Sequence, residues 1–136
     1  MSVGLDLLEI DRLERALERR PGLAHRLFTE AERAYAAAQG RPVQHLAARF
    51  CAKEAVAKAL GTGVGAVAWR EIEILANPRG KPVVVLHGAA AARAAALGLR
   101  HWSVSLTHLA DVALAMVVAS AERGVPSGRE HLRSTE

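Results

Sequence analysis

The chain of 136 residues has one cysteine, Cys51, so no intrachain disulfide can form and no cysteine framework for zinc exists. Aromatic residues make up 4% of it, too few for a core of stacked rings or for a platform on which nucleic-acid bases could stack. No apolar stretch reaches membrane-spanning length without a charged or polar break. The opening MSVGLDLLEIDRLERAL puts carboxylates inside its first apolar run, unlike the basic-then-apolar layout of a signal peptide. These shortages point to a soluble, cytoplasmic protein. What is plentiful is aliphatic: 51% of residues are hydrophobic and 24% charged, enough for one domain with a real core of closely packed helices. The formal net charge of +4 favours anionic partners, whether nucleic acid, an acidic protein face or a phosphorylated small molecule.

Val3 to Leu8 reads as a first strand, interrupted by Asp6. In the following helix Ile10, Leu13 and Leu17 fall on one stripe, Arg12, Arg15 and Arg19 on a second, and Asp11, Glu14 and Glu18 on a third, up to the stop at Pro21-Gly22. Thr29 with Glu32 three residues on matches a capping box and starts a helix to about Gln39, which Gly40 and Pro42 end. QHLAARFCAKEAVAKAL predicts a long helix from about 44 to 60, capped by Gly61. Glu71 to Leu75 and Pro82 to Leu86 read as a hairpin about the turn Asn77-Pro78-Arg79-Gly80. An alanine-rich helix from about 88 to 97 precedes strands 102–106 and 112–119, separated by Thr107 to Asp111. Late strands joined by short turns predict an α+β fold with a small antiparallel sheet packed against helices. The domain is expected over 1–122, with 123–136 a flexible tail.

Asp6 is out of place in an apolar strand; it either faces water, pairs with an arginine or binds a metal. Glu54 and Lys58 stand one helical turn apart, with small neighbours Ala47, Cys51 and Ala55 that leave room for a ligand. If exposed, they form an ordinary helix ion pair; if buried, the carboxylate suits a hard cation and the ammonium phosphate oxygens. Gly61-Thr62-Gly63-Val64-Gly65 follows a helix and lacks the lysine of a P-loop, so it is a helix stop whose backbone N–H groups could also meet a phosphate. His108 is placed in a loop between strands, and Cys51 reads as a small buried hydrophobe.

Together these segments resemble one family from near the first residue to about Ala119. GLDLLEIDRL is similar to the opening strand and helix of holo-acyl-carrier-protein synthases, a branch of the 4'-phosphopantetheinyl transferases. RFCAKEAVAKALGTG resembles their most specific signature. EIEILANPRGKPVVVLHGAA looks like their hairpin with its G-K-P turn, and SVSLTHLADVALAMVV like their final strands.

The resemblance implies transfer of the 4'-phosphopantetheine arm of coenzyme A to a serine of an apo acyl carrier protein, with release of 3',5'-ADP. It implies a Mg²⁺ site at Asp6 and Glu54, with Lys58 neutralising the transferring phosphoryl group and a metal-bound water or Glu54 taking the serine proton. Arg49, Gly61, Thr62, Lys81 and His108 correspond to positions near the coenzyme, and Arg12, Arg15 and Arg19 to the helix that meets the acidic carrier. It also implies a homotrimer with sites shared between subunits. Leu109 and Val112 depart from the threonine and tyrosine usual near His108. The competing readings are a non-enzymatic basic nucleic-acid-binding domain and a coenzyme A binder without transfer activity, the latter expected to lack Asp6, Glu54 or Lys58.

Overall fold

The structure is a computed structural model that describes residues 1–62 and 65–122. Gly63 and Val64 of the glycine-rich segment, and the tail from 123, lie outside the described residues. Strand β1 (Ser2–Glu9) leads directly into helix α1 (Ile10–Arg19). A short helix α2 (Leu23–Leu27) precedes α3 (Glu30–Ala37), and α4 (Pro42–Ala59) is the longest element. A 3₁₀ turn (Trp69–Glu71) feeds the hairpin of β2 (Ile72–Ala76) and β3 (Pro82–Leu86). Helix α5 (Gly88–Ala96), β4 (His101–His108) and β5 (Val112–Ser120) follow.

β5 is the central strand of an antiparallel sheet ordered β1-β5-β4, and β2 and β3 form a separate two-stranded ladder. The α+β architecture expected from the sequence is what forms. α4 lies across the sheet, and its apolar residues are spread around its whole circumference because it is covered on nearly every side. Small side chains make that close contact possible: Ala113, Ala115 and Ala119 on β5 are fully buried, as are Ala47, Cys51, Ala52 and Ala55 on α4. Gly4 on β1 is required at this contact, since a Cβ there would lie 1.8 Å from the Ala55 carbonyl oxygen. The other face of the sheet is left apolar and open, with Val3, Leu5, Leu7 and Met116 each between 45% and 59% exposed.

Several elements differ from the sequence reading. α2 was not foreseen; its five residues carry no side-chain cap. Pro42, read as a breaker, is the first residue of α4, where its missing N–H costs nothing. His108 belongs to β4 and pairs with Ala113, so it is a strand residue rather than a loop tip.

The capping box at Thr29 is present, with the Thr29 hydroxyl accepting from Glu32 N and Glu32 Oε1 from Thr29 N. Glu32 does more than cap. Its Oε1 lies 2.7 Å from Lys53 Nζ and its Oε2 accepts from Ile74 N at 2.9 Å, with both side chains fully buried. Lys53 also donates to the carbonyls of Trp69, at 3.0 Å, and Ile72. Every strong donor and acceptor of the pair is therefore satisfied, the condition under which a buried ion pair is tolerated. The pair ties α3, α4 and β2 together. Burial pulls the Lys53 pKa down while the Glu32 carboxylate pushes it back up.

Candidate active site

Asp6, Glu54 and Lys58 come together where β1 crosses α4. Gly4, two residues before Asp6, permits the strand to approach the helix this closely, and the strand alternation then turns Asp6 towards the same side. Lys58 Nζ lies 3.1 Å from Asp6 Oδ1 and donates to the Leu5 carbonyl at 3.0 Å. Among the described residues Lys58 thus pairs with Asp6 rather than with its helix neighbour Glu54, and the partner of Asp6 is a lysine rather than an arginine. The Asp6 side chain is 12% exposed and that of Lys58 56%, so the lysine remains open to solvent.

Glu54 is half-buried, and its pKa is raised by that burial and by the neighbouring Asp6 charge, with Lys58 partly opposing. Two carboxylates thus share one lysine, leaving an excess negative charge that a divalent cation would satisfy. Among the described residues no group of three or more His, Cys, Asp or Glu is arranged to hold a metal ion. The pair of carboxylates suits Mg²⁺, which takes one or two protein carboxylates and fills its octahedron with water and phosphate oxygens. Cys51 lies fully buried beside them and its thiol is pushed up to about 12 by burial and the two carboxylates, as befits a packing residue rather than a nucleophile.

The other expected coenzyme residues lie elsewhere. Arg49 is five residues before Glu54 and nine before Lys58, which places it about 140° and 180° around the helix from them. There Arg49, Lys81 and His108 line a cavity of roughly 390 Å³ with Tyr35, His45, Ser105 and Gly80. Arg49 is buried, its guanidinium 4.1 Å from the centroid of the Tyr35 ring. Gly61 and Thr62 terminate α4. Gly61 has φ +70° and donates to the Lys58 carbonyl, and the Thr62 hydroxyl is buried without a partner among the described residues. Asp6, Glu54 and Lys58 thus lie on one side of α4, Arg49, Lys81 and His108 on the other, and Gly61 and Thr62 at its end.

Tyr35, His45 and Lys53 escaped the sequence reading. His45 could have been found from its spacing of one turn before Arg49, and Lys53 from being charged inside a helix expected to be buried. Arg12, Arg15 and Arg19 are all exposed and, with Glu9 and Ala16, border a shallow depression of roughly 450 Å³.

Residues 2–117 match the family described as the 4'-phosphopantetheinyl transferase superfamily. A relative from Herpetosiphon aurantiacus called holo-[acyl-carrier-protein] synthase is 52% identical over 125 residues, covering 85% of this chain and 94% of its own. Among solved structures, a holo-[acyl-carrier-protein] synthase from Neisseria meningitidis superimposes with a TM-score of 0.80 at 36% identity, over 88% of this chain and 97% of its own. One from Bacillus anthracis, in complex with CoA (3',5'-ADP), gives a TM-score of 0.73 at 31% identity, over 89% and 96%.

Proposed function

The chain belongs to the 4'-phosphopantetheinyl transferase superfamily, and we propose that it acts as a holo-acyl-carrier-protein synthase, moving the phosphopantetheine arm of coenzyme A onto a serine of an acyl carrier protein. The observation that carries this reading is the convergence of Asp6, Glu54 and Lys58 from two separate elements. The trio whose loss the inactive-binder reading expected is present, and residues 2–117 match a transferase family rather than a nucleic-acid-binding one.

Asp6 and Glu54 would hold Mg²⁺, which when bound supplies positive charge to the diphosphate oxygens. Lys58, anchored by Asp6 and open to solvent, would meet the phosphoryl group being transferred. The serine oxygen forms a bond to the phosphorus bearing the pantetheine arm as the bond to 3',5'-ADP breaks. The serine proton would pass to Glu54 or to a water at the site. Alignment and charge neutralisation do most of the catalysis. Arg49, Lys81 and His108, with Gly61 and Thr62, serve the rest of the coenzyme.

A homotrimer fits the division of these residues. Two groups facing opposite ways from α4 can meet one coenzyme only if each is completed by a neighbouring copy, and the apolar outer face of the sheet offers the surface for that contact. Arg12, Arg15 and Arg19 form the landing face for the acidic carrier. Residues 1–122 are the transferase domain. No described helix is long and apolar enough to cross a membrane; the lone, buried Cys51 suits the reducing cytoplasm, where we place the enzyme.

The test is to combine the protein with coenzyme A, Mg²⁺ and an apo carrier and to weigh the carrier. The expected result is a gain of one phosphopantetheine arm, suppressed in Asp6→Ala and in Glu54→Ala and not restored by excess Mg²⁺. A carrier left unmodified, while a known synthase modifies it under the same conditions, would end the proposal.

A further inference from the structure

Among the groups lining the cavity beside Arg49 is His45, to which the transfer reaction assigns no task. His45, on α4, packs edge-on against Tyr35 of α3 with ring centroids 5.8 Å apart, and against His108 of β4 at 5.9 Å. Arg49 follows one helical turn later, and Lys81 enters from the turn between β2 and β3. No carboxylate lines this space; its polar groups are a phenol, a hydroxyl, two imidazoles, a guanidinium and an ammonium. Arg49 is buried and its Nε has no hydrogen-bond partner among the described residues, so the cavity holds an unmet donor as well as unbalanced positive charge.

We propose that His45 is a further anion-binding residue of this cavity, one that takes a proton from solvent as a phosphate group of the coenzyme arrives. The inference rests on the coenzyme reading and deepens it. Without an anion, a proton on His45 would add a third cation beside Arg49 and Lys81 and face His108 as well. Burial, Arg49 and His108 accordingly hold its pKa below the usual histidine value. A phosphate between these groups reverses the sign of the local field and favours the imidazolium, whose new N–H then donates to a phosphate oxygen. The bookkeeping is one proton from the buffer to one imidazole nitrogen, with no other bond made or broken.

Proton uptake and affinity are linked, so each proton taken up on binding tightens it by up to about tenfold per unit fall in pH. The phosphate's own second ionisation, near ~6, acts in the opposite direction and cancels when wild type and variant are compared.

The experiment is calorimetric titration of the intact protein with coenzyme A between pH 6.5 and 8, in buffers of different ionisation enthalpy, for wild type, His45→Gln and His45→Phe. Phenylalanine keeps the aromatic contact with Tyr35, and a thermal unfolding scan on each protein shows that it is folded. The expected result is proton uptake by the wild type that is reduced in both variants, with the variants binding several-fold more weakly at pH 6.5 and converging on wild type at pH 8. Equal proton uptake and equal affinity in all three proteins would overturn the role of His45 while leaving the coenzyme reading intact. Failure of the wild type to bind coenzyme A at any pH would overturn both.

Discussion

Replacing Glu32 with glutamine probes how the tie between α3, α4 and β2 stabilises the fold. The substitution keeps the shape but removes the carboxylate paired with the fully buried Lys53. It also turns one oxygen into an NH₂ group that must face either the Thr29 N–H and Lys53 or the Ile74 N–H, donor against donor. Removing one partner of a buried pair costs about 3–5 kcal/mol. An independent ceiling on the charge part comes from letting Lys53 lose its proton instead: from an unfolded value near 10.4 to pH 7, at 1.36 kcal/mol per unit, it is about 4.6 kcal/mol. Burial already depresses the Lys53 pKa and Glu32 is the group opposing that, so the variant should depress it further.

The sign of the pH dependence follows. A lysine whose folded pKa lies below its unfolded value releases a proton on folding, so stability is gained as pH rises between the two. Relative to wild type, Glu32→Gln should therefore lose about 4 kcal/mol at pH 7 and recover about 2–3 kcal/mol of it by pH 9. The assay is urea unfolding of both proteins at one fixed protein concentration, at pH 7, 8 and 9. A loss under about 1 kcal/mol, or a loss that does not change between pH 7 and 9, would refute the reasoning.

Two further outcomes follow from the same geometry. Gly4→Ala should cost about 3 kcal/mol and abolish transfer even at temperatures where the variant is folded, because strand and helix must separate where Asp6 meets Lys58; thermal unfolding together with the carrier-mass assay checks this. Changing Arg12, Arg15 and Arg19 to alanine together should raise KM for the carrier several-fold, more at low than at high salt, and leave KM for coenzyme A unchanged, as steady-state kinetics with each substrate varied will show.

Much of this was legible in the residues themselves. The capping box at Thr29 and the hairpin turn at Asn77 are set by neighbours within four positions, and each formed as read. The long-range halves of the same features were not. Nothing local to Glu32 shows that its second oxygen reaches Ile74, 42 residues away, or that Lys53 is its counter-ion. Asp6 was marked as anomalous by its apolar setting, but its partner Lys58 is 52 residues distant and became visible only once Gly4 had allowed β1 onto α4. His108 was misplaced because a polar residue near a turn resembles a loop, whereas the β4–β5 ladder runs on through it to Ala113. α2 was missed because five residues without a cap leave almost no periodic signal.

Arg49 and Lys58 project from α4 in roughly opposite directions, and this bears on how the enzyme would respond to dilution. If each side of the helix contributes to a different catalytic centre, a solitary subunit owns two half-sites and no whole one. Turnover per subunit would then fall with protein concentration once copies dissociate, although every isolated chain remained folded.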